Sequence, residues 1–209
     1  MSSPARTRRR NAEGFDLYIG LEEAAASLSG YEAELIPGLF QTPDYARTLI
    51  GRSTSAGNDA EVERLVHIRI ARQALLTRVT APPDIDVVLS EAILRRPVGG
   101  NNVMAEQLEH LVHLNELGNV SIRVAPYAAG LHDEIMSGPF VIMRFPTNGD
   151  GRNAEPPTVY AEGFTGALYL DKPSEIERYD GAFASISASA LDQASSQDLF
   201  KQAARELTT

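Results

Sequence analysis

The chain has 209 residues, with 28 acidic and 19 basic side chains and a formal net charge of -9. Cysteine is absent, which excludes disulfide frameworks, thiolate nucleophiles, and metal or iron–sulfur sites built on thiolates. No stretch approaches the ~18 apolar residues of a membrane span, and the basic first residues lack the apolar core of a secretory signal, so a cytoplasmic protein without membrane contact is expected.

The basic residues are arginines, apart from Lys172 and Lys201. Arg6, Arg8, Arg9 and Arg10 fall in a predicted flexible tail, residues 1–14, and leave a net charge of about -13 on residues 11–209. That acidic body repels a phosphate backbone, which is held mainly by Lys and Arg displacing counterions. The arm either meets nucleic acid or an acidic partner, or is a solvated terminus.

A short alanine-rich helix is predicted over 21–28, followed by a turn at Ile36-Pro37-Gly38. Thr42, Pro43 and Asp44 form a helix start, as N-cap, first helical residue and dipole partner, and that helix ends near Gly51. The longest predicted helix covers 59–79, with Val62, Leu65, Val66, Leu75, Leu76 and Val79 as its apolar stripe. Residues 85–89 read as a buried strand. Ser90 caps a short helix over 91–96, a further helix spans 103–117, and residues 120–125 form a second strand. The two strands and their intervening helices are long enough for a parallel crossover. Strands follow at 140–145, 158–162 and 167–170, the first two joined by a long polar loop at 147–157. Helices close the chain at 173–191 and from Ser195, in a Ser-x-x-Asp start, to about Leu207. The pattern predicts an α+β fold in a single domain over 15–209: a small mixed β-sheet with helices at both ends and one helical crossover.

Motifs for nucleotide binding, serine hydrolysis and zinc proteolysis are missing, and no cofactor is expected. Glu106, His110 and His113 share one helical turn spacing, but Glu106 lies about 200° from Met104 around the helix, so the trio is expected to face solvent without metal. Glu91 follows a buried strand directly. It either serves a site there or stabilises its helix start with Arg95 at i+4. His132, in the tract His132-Asp133-Glu134 beside Tyr127, is a candidate base or ligand group, or plain surface. Tyr160 and Glu162 share one face of a strand opposite Val159 and Ala161. They line a cavity, with an arginine of the Arg69–Arg72 or Arg95-Arg96 region as partner to Glu162, or else they meet water.

One long tract, Tyr31-Glu32-Ala33-Glu34-Leu35-Ile36-Pro37-Gly38-Leu39-Phe40-Gln41-Thr42-Pro43-Asp44-Tyr45-Ala46-Arg47, has further ordered companions. They are Arg69-Ile70-Ala71-Arg72-Gln73, Val88-Leu89-Ser90-Glu91-Ala92-Ile93-Leu94-Arg95, Val98-Gly99-Gly100, Gly138-Pro139-Phe140 and Val159-Tyr160-Ala161-Glu162. Together, over about residues 18–207, they resemble the effector domain of unknown function at the C-terminus of actinobacterial, antitoxin-like XRE-type helix-turn-helix transcriptional regulators. Only about seventeen residues precede the resemblance, too few for a three-helix DNA reader, so direct duplex DNA binding by this chain alone is not expected. The resemblance implies a standalone effector-type domain holding a small-molecule ligand or a protein partner, and it leaves a homo-oligomer open. The alternative is an enzyme of specialised metabolism, an isomerase or cyclase with an apolar substrate pocket, built on the same scaffold.

Overall fold

The computed structural model describes residues 16–53, 58–130, 136–147, 155–163 and 166–208. Residues 16–24 form helix α1. Strand β1 (Ser27–Glu32), α2 (Pro43–Ser53), α3 (Asp59–Ala71), β2 (Asp84–Ser90), α4 (Glu91–Leu94), α5 (Asn101–Leu114) and β3 (Val120–Ala125) follow. The chain then runs through β4 (Phe140–Arg144), β5 (Thr158–Gly163) and β6 (Gly166–Leu170) to α6 (Pro173–Ser189) and α7 (Gln193–Thr208). The six strands make one mixed sheet in the order β3-β2-β1-β4-β5-β6. The α+β class is thereby shown.

β1 is parallel to β2, and β2 to β3, while β4, β5 and β6 join by antiparallel pairing. The sheet therefore holds two helical crossovers rather than the single one expected, because β1 lies at its centre. Sequence periodicity placed a helix over part of that strand. Its first four residues, Ser27-Leu28-Ser29-Gly30, alternate in burial and Tyr31 is then buried on the other face, but the weak β formers serine and glycine conceal the period. Gly30 is required by close approach: a Cβ there would stand 2.8 Å from the Phe140 carbonyl oxygen of the adjoining strand. Gly30→Ala is expected to lower the melting temperature measurably, since the obstacle is backbone and cannot swing aside.

Other boundaries differ for local reasons. The helix expected over 59–79 ends at Ala71 and tightens into a 3₁₀ turn, Arg72–Thr77, and Val79 is fully exposed rather than part of the stripe. The start of α7 is set by Asp192, whose Oδ1 accepts from the Ser195 backbone N–H at 2.7 Å, not by a Ser195 cap. The predicted tail, 1–14, and most of the loop at 147–157 lie outside the described residues.

The sheet divides the core in two. One face carries Leu28, Ile85, Val87, Ile122, Val124 and Met143 under α5 and α7. Against the other face α6 packs Ile176 and Ile186 on Val88, Phe140, Ile142 and Val159. Arg123 on β3 ties that side down, pairing with Asp86 at 2.9 Å and donating to the Ser187 carbonyl at 3.1 Å.

The outer edge of β3 is closed by side chains and by chain from the C-terminal region. Asn115 imitates a strand: its Nδ2 donates to the Ile122 carbonyl at 2.9 Å, and its Oδ1 accepts the Ile122 N–H at 2.7 Å. Ser196 Oγ accepts the Val124 N–H at 3.0 Å, and the Leu191 N–H donates to the Val124 carbonyl at 2.8 Å. Asn115→Ala strands two buried backbone groups at ~1–3 kcal/mol each, so a loss of about 2–4 kcal/mol is expected in urea unfolding. A loss below ~0.5 kcal/mol would mean that water replaces the amide.

Candidate functional site

Parallel crossovers carry the chain from β1 to β2 and on to β3, whereas β4 returns to the opposite flank of β1. In open sheets a reversal of this kind leaves a crevice beyond the C-terminal strand ends. Glu32 occupies that end of β1. Its alternation partners Leu28 and Gly30 place it on the face covered by α5 and α7. Strand register sets Val141 opposite Gly30, Tyr160 opposite Val141 and Tyr169 opposite Tyr160. Since β5 runs in the same direction as β1, Glu162 also lies near a C-terminal strand end.

A recess of about 190 Å³ opens here, lined among others by Glu32, Glu34, Leu35, Val141, Tyr160 and Glu162. A smaller inner cavity of about 30 Å³, reaching Tyr18, Leu28, Gly30 and Phe40, shares Glu32 and Val141 with it. The sequence left open whether the Tyr160 and Glu162 face is wet or lines a cavity; both residues stand on the wall of the recess, Tyr160 half-buried and Glu162 exposed to water.

Helix α1 roofs the site. The Tyr18 ring lies 4.5 Å from Tyr160, which lies 5.2 Å from Tyr169, so three tyrosines follow one another across the sheet. The roof is fixed by a buried ion pair between Glu22 and Arg72, with Arg72 Nε donating at 3.0 Å and its guanidinium 5.7 Å above the Tyr18 ring. Tyr18 and Tyr160 donate to Glu22 and Glu162 respectively, and burial, then the neighbouring carboxylates, raises both phenol pKa values.

Glutamines hold the loop between β1 and α2 over the strand end. Gln107 on α5 donates to the Phe40 carbonyl and accepts the Thr42 N–H, both at 2.7 Å. Gln41 donates to the Ile36 carbonyl at 2.7 Å and accepts from Arg69 Nη1 at 2.8 Å. Burial, and then Arg72, lowers the Arg69 pKa, while Glu162 acts in the opposite sense. Arg69, from one of the two regions anticipated, lies within electrostatic reach of Glu162, but among the described residues no arginine forms an ion pair with Glu162.

Glu32 is the strongest electrostatic feature. Burial first, and the Glu162 charge second, push its carboxyl up from an ordinary 4.5 to about 8. Among the described residues it takes part in no ion pair. Like charges that share a desolvated site favour retention of a proton.

The remaining candidates lie elsewhere. Glu91 accepts the Tyr127 backbone N–H at 3.0 Å and pairs with Arg95 at 3.3 Å, and Arg95 also holds Glu206 at 2.8 Å. Glu91 thus joins the ends of β2 and β3 to α7, while the Tyr127 ring is exposed. His132, with Asp133 and Glu134, lies outside the described residues.

On α5, Glu106 and His113 are exposed, but His110 is half-buried, contrary to the expectation that all three face solvent. It lies three residues after buried Gln107 and four before buried Leu114, on the flank of the apolar stripe. Its Nε2 has no hydrogen-bond partner, and burial, then His113, lowers its pKa. No group of three or more His, Asp or Glu arranged to hold a metal occurs among the described residues, nor is any helix among them long and apolar enough to cross a membrane.

Glu32 and Gln41 were not singled out from sequence as site residues, and Arg69 only as one of several arginines that could partner Glu162. All three lie within tracts that carry the family resemblance, but nothing local marks them: the site exists only when β1, β5 and α3 meet. No curated protein and no solved structure matches the chain. A family model described as a domain of unknown function (DUF5753) does match, over residues 15–202, and the chain belongs to that family.

Proposed function

We propose that this domain is a binding module that holds a small molecule in the recess at the C-terminal ends of β1 and β5. The observation that carries this reading is Glu32, a half-buried carboxyl without an ion-pair partner among the described residues, lining both the recess and the inner cavity. Concave sites that combine an apolar wall with a few converging polar groups are the usual small-molecule sites, and a perturbed acid in such a cleft marks function more often than chance. Together with the resemblance to actinobacterial, antitoxin-like XRE-type regulators, this makes the domain an effector unit. Its ligand acts through α1, whose Tyr18 rests on Tyr160.

Melting curves of the protein with a panel of small charged and neutral fragments test the reading, because a ligand that binds only the folded state raises the melting temperature. Tyr160→Trp, which fills the recess, is expected to abolish the shifts while leaving the fold intact. Shifts that survive the substitution would locate the binding elsewhere.

One observation favours a second reading, an enzyme of the isomerase or cyclase class: an acid that titrates at about 8 is poised to donate a proton near neutrality. Turnover of any substrate should then fall on the alkaline side with Glu32 and be lost in Glu32→Gln.

A further inference from the structure

We propose that the ligand of this recess is an organic ammonium compound, its nitrogen seated between the carboxylates of Glu32 and Glu162 and against the Tyr160 ring. This deepens the reading given above and rests on it. The recess carries three carboxyl side chains and no cationic one among its lining residues. Glu34 is already committed to an ion pair with Arg96, which leaves Glu32 and Glu162.

The groups around the recess come from several elements. β5 brings Glu162 and Tyr160, α1 brings Tyr18 and α2 brings Tyr45, all within electrostatic reach of Glu32, while Tyr169 of β6 and Arg69 of α3 act on Glu162. Arg72 and Arg96 are taken up by Glu22 and Glu34, and Arg69, the cation left among these groups, turns its Nη1 to Gln41. The two carboxyls therefore face a deficit of positive charge among these groups, and Glu32, the half-buried one, keeps its proton when nothing else fills it. A bound cation would take over that role.

A metal ion fits poorly. Calcium asks for six to eight converging oxygens and magnesium for a near-octahedral shell, and no metal-holding group of three occurs among the described residues. An ammonium needs only one or two carboxylates and gains from an aromatic face within about 6 Å. The apolar wall of Leu35, Phe140 and Val141 suits a short hydrocarbon body. At ~30 Å³ per water, the 190 Å³ recess displaces about six waters, the scale of a small alkylamine or choline-like head.

Isothermal titration of the whole chain with n-butylammonium chloride and choline chloride tests this, with 1-butanol as the neutral counterpart and magnesium and calcium chloride as metal controls. The ammonium compounds are expected to bind at least roughly tenfold more tightly than 1-butanol. Glu32→Gln and Glu162→Gln, both isosteric, should each remove that preference. Binding at pH 7 should release a proton, visible as heat that varies with the ionisation enthalpy of the buffer, a readout that a merely structural carboxyl would not give. Equal binding of 1-butanol and butylammonium, both lost in Tyr160→Trp, would overturn the cation claim and leave the small-molecule reading standing. Tighter binding of magnesium or calcium would also overturn it. Absence of binding by every probe overturns it as well, and the fragment panel then decides the broader reading separately.

Discussion

Glu32→Gln is expected to stabilise the protein more in alkali than in acid. The folded carboxyl titrates at about 8 against an ordinary 4.5. Between those values the unfolded chain has lost this proton and the folded chain keeps it. Folding therefore takes up a proton, and stability falls as pH rises, by at most ~1.4 kcal/mol per pH unit for one group. Below the lower value neither state is charged at this position and nothing is lost; above the upper value the full penalty is present and no longer grows. Glutamine has the same shape and never ionises, so the variant lacks the slope. Its amide still needs hydrogen-bond partners, which offsets part of the gain. That amide cost is the same at every pH, so the expectation is a gain that is about 3 kcal/mol larger at pH 8.5 than at pH 5, or ~6–12 °C for a chain of this size. Thermal melts of both proteins at pH 5, 7 and 8.5 check it; parallel curves would mean that Glu32 is hydrated and ordinary.

Glu22→Ala should do the reverse, and more severely. Glu22 is 3% exposed and the Arg72 side chain 12%, so removing the carboxylate leaves a buried guanidinium without its principal counter-charge. Breaking buried pairs in this way costs ~3–5 kcal/mol. The loss should concentrate in α1, because Tyr18 donates to Glu22 and Arg72 lies over the Tyr18 ring. Hydrogen exchange is expected to show residues 16–24 opening well before the sheet. Replacing both partners, as Glu22→Leu with Arg72→Met, removes the charge and its orphan together, so the double variant should be more stable than Glu22→Ala alone. If the double variant is worse, the pair contributes net attraction and not only the avoidance of an unpaired charge.

Much of the fold was legible along the chain. Residues 120–125 gave their strand at the observed bounds, because β-branched residues follow a glycine stop and alternate in burial. Thr42 and Asn58 flank their helices as caps, accepting at 3.4 Å from the Tyr45 and Glu61 N–H groups. The central strand was missed because the face it turns to α5 and α7 carries Leu28, Gly30 and Glu32, only one of them hydrophobic, while the opposite face offers two serines beside buried Tyr31. Two of those positions belong to the site: glycine admits the neighbouring backbone, and glutamate faces the recess. Local rules failed where function displaces packing, as expected of functional positions. Tyr160 and Glu162 were found because the alternation of β5 survives there, but their meeting with Glu32 and Arg69 depends on contacts more than ninety residues apart in sequence, which no local window reports.

The closed rim of β3 has a consequence for crowded solutions. Open-ended stacking of sheets by strand addition requires every copy to offer two unpaired borders, one to accept and one to donate. Asn115, Leu191 and Ser196 occupy the backbone groups of one border. Among the described residues, β6 forms the only other border of the sheet. Two molecules that met there would exhaust their borders on each other, so growth along the ladder direction terminates at a pair and cannot proceed to a fibre while the native rim holds. Loss of Asn115 would uncover the Ile122 groups of the second border while Leu191 and Ser196 still cover Val124, which makes it one of three guards against polymerisation as well as a structural amide.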